Sequence, residues 1–204
     1  MKLPAKTVER LSQYRRVLKK YQNLPDSYIF SHDLAKLLKF NPVQVRRDLM
    51  LLGISGNQRI GYKVTDLLKS IDSTLTLPKA RNATIIGMGN LGKSLLNHIF
   101  SSKACPVNVV ATFDIDSSIT NKSILGIKCY DIIEAPRLIK ENNIKIAILT
   151  LVSDDIQAIV DGLINSGIQG FINYVAGPIR VPDKIIIKEY DIRTTLEEMS
   201  YFIS

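Results

Sequence analysis

The chain has 204 residues, of which 46% are hydrophobic and 23% charged, and these proportions are typical of a globular protein and exclude a disordered chain. It contains no apolar run long enough to cross a bilayer and no apolar stretch behind its first residues of the kind found in signal peptides, so we expect a cytoplasmic protein. The two cysteines, Cys105 and Cys129, lack CxxC spacing, which predicts no metal site and two buried thiols, with a thiol switch as the alternative.

The net charge of +8 is unevenly distributed. Residues 1–81 contain sixteen Lys or Arg and six Asp or Glu, whereas residues 82–204 contain eleven and thirteen. Such asymmetry is expected when one part of a protein contacts a polyanion and the other does not.

Three helices are predicted in the first fifty residues or so of the basic region. Between Thr7 and Tyr21, apolar residues recur at steps of three and four, which marks one face of a helix. Ser31 is the predicted N-cap of a second helix. Its predicted buried face consists of Leu34, Leu37 and Leu38. After a short turn, Asn41 is the predicted N-cap of a third helix, with Pro42 at the first helical position.

The third helix is the candidate recognition helix of a helix-turn-helix. Val45 and Leu49 share its apolar face, while Arg46 and Arg47 point the other way and Gln44 lies at the edge. Arginine and glutamine near the N-terminus of such a helix can reach base edges in the major groove. A basic helix face that is merely solvated is the alternative.

A glycine-rich segment follows the third helix. Gly53, Gly56 and Gly61 surround Gln58–Ile60, and Tyr62–Val64 comes next, which predicts a short hairpin that acts as a wing. The predicted DNA contacts are Gln44, Arg46, Arg47, Arg59 and Lys63. A short helix over Thr65–Ile71 and a junction over Thr74–Arg81 complete this region.

The second region begins with a dinucleotide-binding pattern. A predicted strand over Ala83–Ile86 leads into Gly87-Met88-Gly89-Asn90-Leu91-Gly92 and then a helix. Glycine at the first position permits a tight turn, the second lets the backbone approach a pyrophosphate, and the third allows the helix to pack on the strand. A glycine-rich turn that binds no phosphate is the alternative.

A second predicted strand, Val107–Phe113, is followed directly by Asp114. A carboxylate there would accept hydrogen bonds from the adenosine ribose and repel a 2′-phosphate, which favours NAD(H) over NADP. Asp116 is the less favoured partner. The candidate cofactor-binding residues are Gly87, Met88, Gly89, Asn90, Leu91, Gly92, Asp114 and Thr150.

The rest of the chain continues to alternate between strands and helices. Predicted strands cover Ile144–Thr150, Gly170–Asn173 and Lys184–Ile187, with helices over Asp155–Ile164 and Thr194–Ile203. This alternation predicts an α/β fold: an N-terminal winged helix-turn-helix followed by a Rossmann-type, doubly wound parallel sheet and a C-terminal helix. The predicted boundaries are 1–80, 81–190 and 191–204.

Two alternatives to a DNA-binding sensor are open. An NAD-dependent dehydrogenase would need a substrate domain and a placed acid or base, but little chain follows the Rossmann unit. A nucleotide-binding module that never contacts DNA would not require the basic first region.

Taken together, Val45–Leu49, Gly61-Tyr62, the glycine-rich loop, Phe113-Asp114 and Tyr201-Phe202 resemble the Rex family of redox-sensing transcriptional repressors. The resemblance implies a homodimer that binds an inverted-repeat operator in double-stranded DNA when NAD⁺ prevails and leaves it when NADH binds. It also implies that the terminal helix is exchanged between subunits and that Arg16 and Asp191 form an intersubunit link between the two domains.

The sequence departs from the family pattern in several places. These are the wing Ser55–Gln58, the helix end Met50–Gly53, His98, Leu151–Ser153 and Asn173–Ala176. We expect His98 to be a partly buried helix residue, with a nucleotide contact as the alternative.

Overall fold

The computed structural model of the chain describes residues 3–22, 24, 27–75, 80–101 and 105–203. The chain divides into two compact units, residues 1–78 and 79–204. Part of the predicted junction, including Leu77-Pro78-Lys79, lies outside the described residues.

The first unit is built from four helices and a two-stranded sheet. Its elements are α1 (Ala5–Leu18), a single 3₁₀ turn (Lys19–Tyr21), β1 (Tyr28–Ile29), α2 (Ser31–Leu38), α3 (Pro42–Leu51), β2 (Tyr62–Lys63) and α4 (Val64–Leu75). Apolar stripes of the helices meet in one core, in which Leu11, Leu49 and Leu67 are fully buried. Burial of these stripes is the main stabilising contribution to helices as short as these.

Two details of α2 differ from the prediction. Phe30 occupies the N-cap position without a side-chain hydrogen bond, and Ser31 is the first helical residue. Leu37 is 51% exposed, whereas Leu34 and Ala35 are fully buried. Because successive helical residues are about 100° apart, an arc centred between Leu34 and Ala35 leaves Leu37 outside it.

The wing also differs from a simple hairpin. Strand β2 pairs antiparallel with β1, so that Tyr28 lies opposite Lys63 and Ile29 opposite Tyr62. Strand β1 was not predicted, since two residues carry no readable alternation.

The second unit is a seven-stranded sheet with helices on both faces. Its strands are β3 (Arg81–Ile86), β4 (Val107–Asp114), β5 (Ser123–Ile124), β6 (Ile127–Asp131), β7 (Ile144–Leu149), β8 (Gly170–Asn173) and β9 (Ile186–Glu189). Its helices are α5 (Asn90–Ser101), α6 (Ala135–Glu141), α7 (Ile156–Ser166) and α8 (Ile192–Phe202). The order is β5-β6-β4-β3-β7-β8-β9, and all the pairings are parallel except that of β5 with β6. The predicted fold class is therefore confirmed.

Alternate residues of the central strand pack on opposite faces of the sheet. Ile85 packs with Leu96 of α5, whereas Ile86 belongs to the cluster that contains Leu138 of α6 and Val160 of α7. Parallel strands covered on both faces bring their carboxyl ends to one edge, where ligands of such folds bind.

Several elements lie where the sequence predicted none or lie displaced. The segment 123–141, which contains β5, β6 and α6, was left unassigned, and β9 begins two residues later than predicted. Helix α8 begins two residues earlier than predicted.

Candidate functional site

The glycine-rich loop joins β3 to α5 at the carboxyl edge of the sheet. Gly87 has a φ of +98°, and a Cβ there would lie 2.5 Å from the backbone nitrogen of Leu151. A Cβ on Gly92 would collide with the carbonyl oxygen of Gly87. Both positions therefore require glycine, one for its backbone conformation and the other for the close approach of the helix to the strand.

Gly89 has different surroundings. Apart from its two chain neighbours, no described residue has an atom within 4 Å of the position its Cβ would occupy. Helix α5 begins at the next residue, Asn90, so its first backbone N–H groups border this open space. The first turn of a helix binds anionic groups well, because its amides lack intrahelical partners and its dipole is positive there. The loop therefore has the shape and the polarity to hold a diphosphate.

Asp114 lies at the end of β4, beside this loop. Its side chain is nearly buried; one carboxylate oxygen accepts from the backbone N–H of Met88 at 2.6 Å and the other from that of Asp116 at 3.0 Å. A carboxylate has about four lone-pair sites, so Asp114 retains acceptor capacity for ribose hydroxyls. Asp116 is exposed, and its own carboxylate accepts from the Ser118 amide at 2.8 Å.

Thr150 supports the loop from the neighbouring strand. Its hydroxyl donates to the carbonyl oxygen of Gly87 at 2.6 Å, and its backbone N–H donates to that of Ile86 at 2.9 Å. The structure thus brings Thr150 to the loop from 63 residues away in sequence.

Two exposed apolar side chains lie near this edge; sequence analysis did not single out the first and named the second only within the segment Leu151–Ser153. Ile115 follows β4 and is 48% exposed, and Val152 follows β7 and is 84% exposed. An apolar residue directly after a buried strand is the signal that would have identified Ile115.

In the first unit, α3 presents its arginines outward. The Asn41 side chain accepts from the Val43 amide at 2.8 Å, and Pro42 is the first helical residue, both as predicted. The burial of Val45 and Leu49 turns Arg46 and Arg47 to the exposed face. Exposed apolar residues, Val43 and Met50, lie on the same side of the helix.

A buried acid on α3 was missed by sequence analysis. Asp48 is fully buried and accepts from Arg10 Nε at 2.6 Å and Nη2 at 2.8 Å. It also accepts from the Tyr14 hydroxyl at 2.8 Å and from Gln44 Nε2 at 3.0 Å. Gln44, predicted to contact DNA, is therefore half-buried with its amide nitrogen on Asp48. In the sequence, Asp48 is a single acidic residue after Arg46 and Arg47. Nothing nearby indicates that it pairs with Arg10 on another helix.

The wing is a tight turn closed by a bridge between Asn57 and Gly61. The Asn57 side chain accepts from the backbone N–H groups of Arg59 at 2.8 Å and Ile60 at 3.3 Å. Gly61 has a φ of +82°, and a Cβ there would lie 2.6 Å from the carbonyl oxygen of Ile29. Arg59 and Lys63 are exposed on this turn and on the strand that follows it.

Comparison with known proteins relates both units to one family. Residues 2–49 match a family described as "Putative DNA-binding protein N-terminus", and residues 78–177 match one described as "CoA binding domain". The redox-sensing transcriptional repressor Rex of Listeria welshimeri is 31% identical over 202 residues, covering 99% of this chain and 94% of that protein. The corresponding repressor of Lactiplantibacillus plantarum is 32% identical, covering 99% of this chain and 89% of its own length. This chain belongs to the Rex family of redox-sensing transcriptional repressors.

Solved structures of a Rex-family repressor called RSP agree with this. The complex of RSP with β-NAD⁺ and operator DNA superposes with a TM-score of 0.88 at 28% identity, covering 100% of this chain and 93% of that one. The complex with β-NADH has a TM-score of 0.84 at 27% identity, covering 100% and 95%. These relatives are repressors rather than enzymes.

In this member of the Rex family, the two residues expected to couple the domains are both exposed. Arg16 lies on α1. Asp191 is the N-cap of α8: it accepts from the backbone N–H of Arg193 at 2.9 Å and from the Thr194 hydroxyl at 2.7 Å. The hydrogen bonds from Thr194 hold the pKa of Asp191 below its ordinary value. Asp191 therefore has a local role that the resemblance did not imply.

Helix α8 has an exposed apolar stripe. None of its eleven residues, all of them described, is buried. The large exposed apolar side chains from this helix to the residue after it are Ile192, Leu196, Met199, Tyr201, Phe202 and Ile203.

The predictions made for the burial of cysteine and histidine side chains in this Rex member are confirmed only in part. Cys129 is buried as predicted, and burial raises the pKa of its thiol, whereas Cys105 is only partly buried. His98 is exposed, so the expectation of partial burial was wrong. Tyr174, in a segment that departs from the family pattern, stacks on Tyr190 with ring centroids 5.3 Å apart. Over the part of the chain that the structure describes, every helix is too short or too polar to span a membrane.

Proposed function

We propose that this chain is a cytoplasmic repressor that binds an inverted-repeat operator as a homodimer and releases it when NADH binds the Rossmann unit. One observation carries the proposal: the same chain holds a glycine-rich loop closed on a strand-end carboxylate and a capped helix with two outward arginines. Relatives that match it over nearly the full length are redox-sensing repressors, and RSP has been crystallised with β-NAD⁺ and operator DNA and with β-NADH.

The residues of the loop fit a dinucleotide. The open space at Gly89 accommodates the diphosphate against the first turn of α5. Asp114 accepts from the ribose hydroxyls and places a negative charge where NADP would carry a phosphate. Thr150 keeps the carbonyl of Gly87 in place through its hydroxyl. When bound, the dinucleotide supplies a nicotinamide ring whose charge and shape depend on its redox state.

The DNA-binding unit reads the operator with α3 and the wing. Arg46 and Arg47 are the residues that reach base edges in the major groove, and Arg59 and Lys63 lie on the wing and the strand after it. A two-fold dimer supplies two such helices for half-sites about 34–36 Å apart along the DNA. Exchange of α8 between subunits would cover its exposed apolar stripe.

Release by NADH requires two arrangements of the dimer that NADH stabilises unequally. The test is fluorescence anisotropy with labelled DNA from the region upstream of the gene, at fixed salt, with NADH, with NAD⁺ and without nucleotide. We expect tight binding with NAD⁺ and at least tenfold weaker binding with NADH. Equal DNA affinity in all three conditions would contradict the proposal. Equal affinity for the upstream DNA and for unrelated DNA would contradict it as well.

A further inference from the structure

We propose that Asp48 is a positioning residue for DNA recognition. By its hydrogen bonds it links α3 to α1, and this fixes the orientation of α3 and so the positions of Arg46 and Arg47. This inference rests on the proposed function, because it concerns the accuracy with which the recognition helix is presented to the operator. It assigns to a buried residue of α3 a role distinct from that of its exposed neighbours.

Hydrogen bonds from both helices fix the position of the Asp48 carboxylate. Its carboxylate receives four hydrogen bonds, two from Arg10 and one each from Tyr14 and Gln44. Arg10 also donates to the hydroxyl of Thr7 at 3.2 Å. Three of these residues belong to α1 and two to α3, so the network links the helices through directional bonds on both carboxylate oxygens.

The apolar contacts of α3 do not fix its rotation as tightly. Val45 and Leu49 are buried by packing, and the burial of apolar surface is non-directional. A bidentate contact between arginine and guanine requires the side chain to be placed within about 0.5 Å. The network around Asp48 supplies directional contacts one and two residues from Arg47 and Arg46.

Stability alone is a poor explanation for this network. Asp48 is fully buried and the Arg10 side chain is only 17% exposed. Removing such a pair from water costs about as much as the pair's attraction returns, and well-packed apolar residues often replace it without loss of stability. Burial by itself raises the pKa of Asp48, but the hydrogen bonds from Arg10, Tyr14 and Gln44 outweigh it and hold the pKa below its ordinary value. Asp48 is therefore charged at neutral pH, and the charge is retained within a core where an apolar group would suffice for folding.

The test replaces the network with apolar groups and measures sequence discrimination. The variant combines Arg10→Met, Tyr14→Phe and Asp48→Leu, which removes the buried charge together with the groups of α1 that bind it; the half-buried Gln44 and the hydroxyl of Thr7 each lose one hydrogen-bond partner. We expect a thermal midpoint at or above that of the wild type and a ratio of operator to unrelated-DNA affinity that falls about tenfold. The dependence of affinity on salt should stay the same, because the phosphate contacts are retained.

A matched control uses a second ion pair between α1 and a neighbouring helix. Arg15 Nη1 lies 3.5 Å from Asp72 of α4. The double substitution Arg15→Met with Asp72→Leu removes one positive and one negative charge, as the triple variant does, but changes no residue of α3. This control should keep the wild-type ratio.

A second variant keeps the test decisive if the triple variant fails to fold. Tyr14→Phe alone retains the core volume and removes one hydrogen bond from Asp48, and it should lower the ratio about twofold to threefold. A folded triple variant with the wild-type ratio would overturn the inference, as would an unchanged ratio in Tyr14→Phe when the triple variant is unfolded. If the wild type itself shows no preference for its operator, the proposed function fails instead.

Discussion

Asp114 acts on two neighbours at once. The carboxylate holds the Met88 amide of the glycine-rich loop and is also the proposed acceptor for the ribose. Removing the side chain would therefore disturb the loop as well as the nucleotide contact. Replacement by asparagine removes the charge and keeps one acceptor oxygen for the Met88 amide, at the loss of the hydrogen bond from the Asp116 amide.

We predict that Asp114→Asn binds NADPH more tightly, relative to NADH, than the wild type does. The amide oxygen still accepts from Met88, while the repulsion of a 2′-phosphate is lost. Titration calorimetry with both nucleotides measures the ratio, and Asp116→Asn, at the exposed neighbour, is the control that should leave it unchanged. An unaltered ratio in Asp114→Asn would place the ribose elsewhere.

At the DNA-binding unit, Arg47→Ala should weaken operator binding by about 1–3 kcal/mol, the value of one good base contact. NADH affinity should not change, since the substitution lies in the other unit. Fluorescence anisotropy at fixed salt measures the operator affinity, and titration calorimetry measures the NADH affinity. Arg137→Ala, which removes the same charge from the exposed surface of α6, should retain operator affinity; an equal loss there would show that only total charge matters.

At the scale of elements, the pair α1 and α3 is joined through a carboxylate whose pKa is lowered in the folded protein. Such a group contributes stability that is present above its unfolded pKa of about 3.9 and is lost as the pH falls through the lower folded value. We predict that the stability of the first unit decreases as the pH drops below about 4. Denaturant unfolding across this range should show a steeper decrease for the wild type than for the triple variant that lacks Asp48. Parallel curves would contradict the contribution of this network.

Helix α8 has no buried residue within one chain. Its apolar stripe is exposed, and burying such a stripe in a partner is worth about 25 cal/mol for each Å² covered. We predict that Leu196→Asp with Met199→Asp converts the proposed dimer to a monomer with much weaker operator binding, as measured by light scattering and anisotropy. Glu198→Ala, a change on the same helix that adds no charge to the stripe, should remain dimeric. Removal of residues 194–204 that leaves a soluble dimer with normal operator affinity would rule out the exchange.

At the scale of the whole molecule, the regulation depends on how nucleotide binding reaches the DNA-binding unit. Arg16 and Asp191 are the proposed link, but Asp191 also caps α8, so Asp191→Ala would combine two effects. Loss of a cap alone costs about 0.5–2 kcal/mol of helix stability. The isosteric amide keeps an acceptor for the amides of Arg193 and Thr194.

We predict that Asp191→Asn preserves folding, NADH binding and DNA binding but reduces the ratio of DNA affinities measured without and with NADH. The expected change is modest, because an exposed ion pair contributes only about 0–1 kcal/mol. Measuring the ratio in Asp191→Asn, Arg16→Gln and the double variant gives the coupling energy directly. Additive effects of the two substitutions would remove this pair from the switch.

Local patterns in the sequence were sufficient to predict much of the fold. The cap and proline at Asn41-Pro42, the glycine-rich loop and the strand at 170–173 were predicted correctly, because each depends on a few adjacent residues whose conformational preferences agree. The basic first region and the resemblance to Rex pointed to the two kinds of ligand. The segment 123–141 was not assigned, because β5 and β6 are short and show no alternation that stands out in a single sequence.

Tertiary structure alone decided which distant residues meet. The order of strands places β7 beside β3, and this brings Thr150 to Gly87. Packing of α1 against α3 places Arg10 on Asp48, 38 residues away. Periodicity and capping describe the preferences of neighbouring residues, whereas contacts between remote residues depend on how whole helices and strands pack. For that reason the sequence by itself determined most of the elements and the class of the two sites, and only the folded chain determined which side chains hold those sites in position.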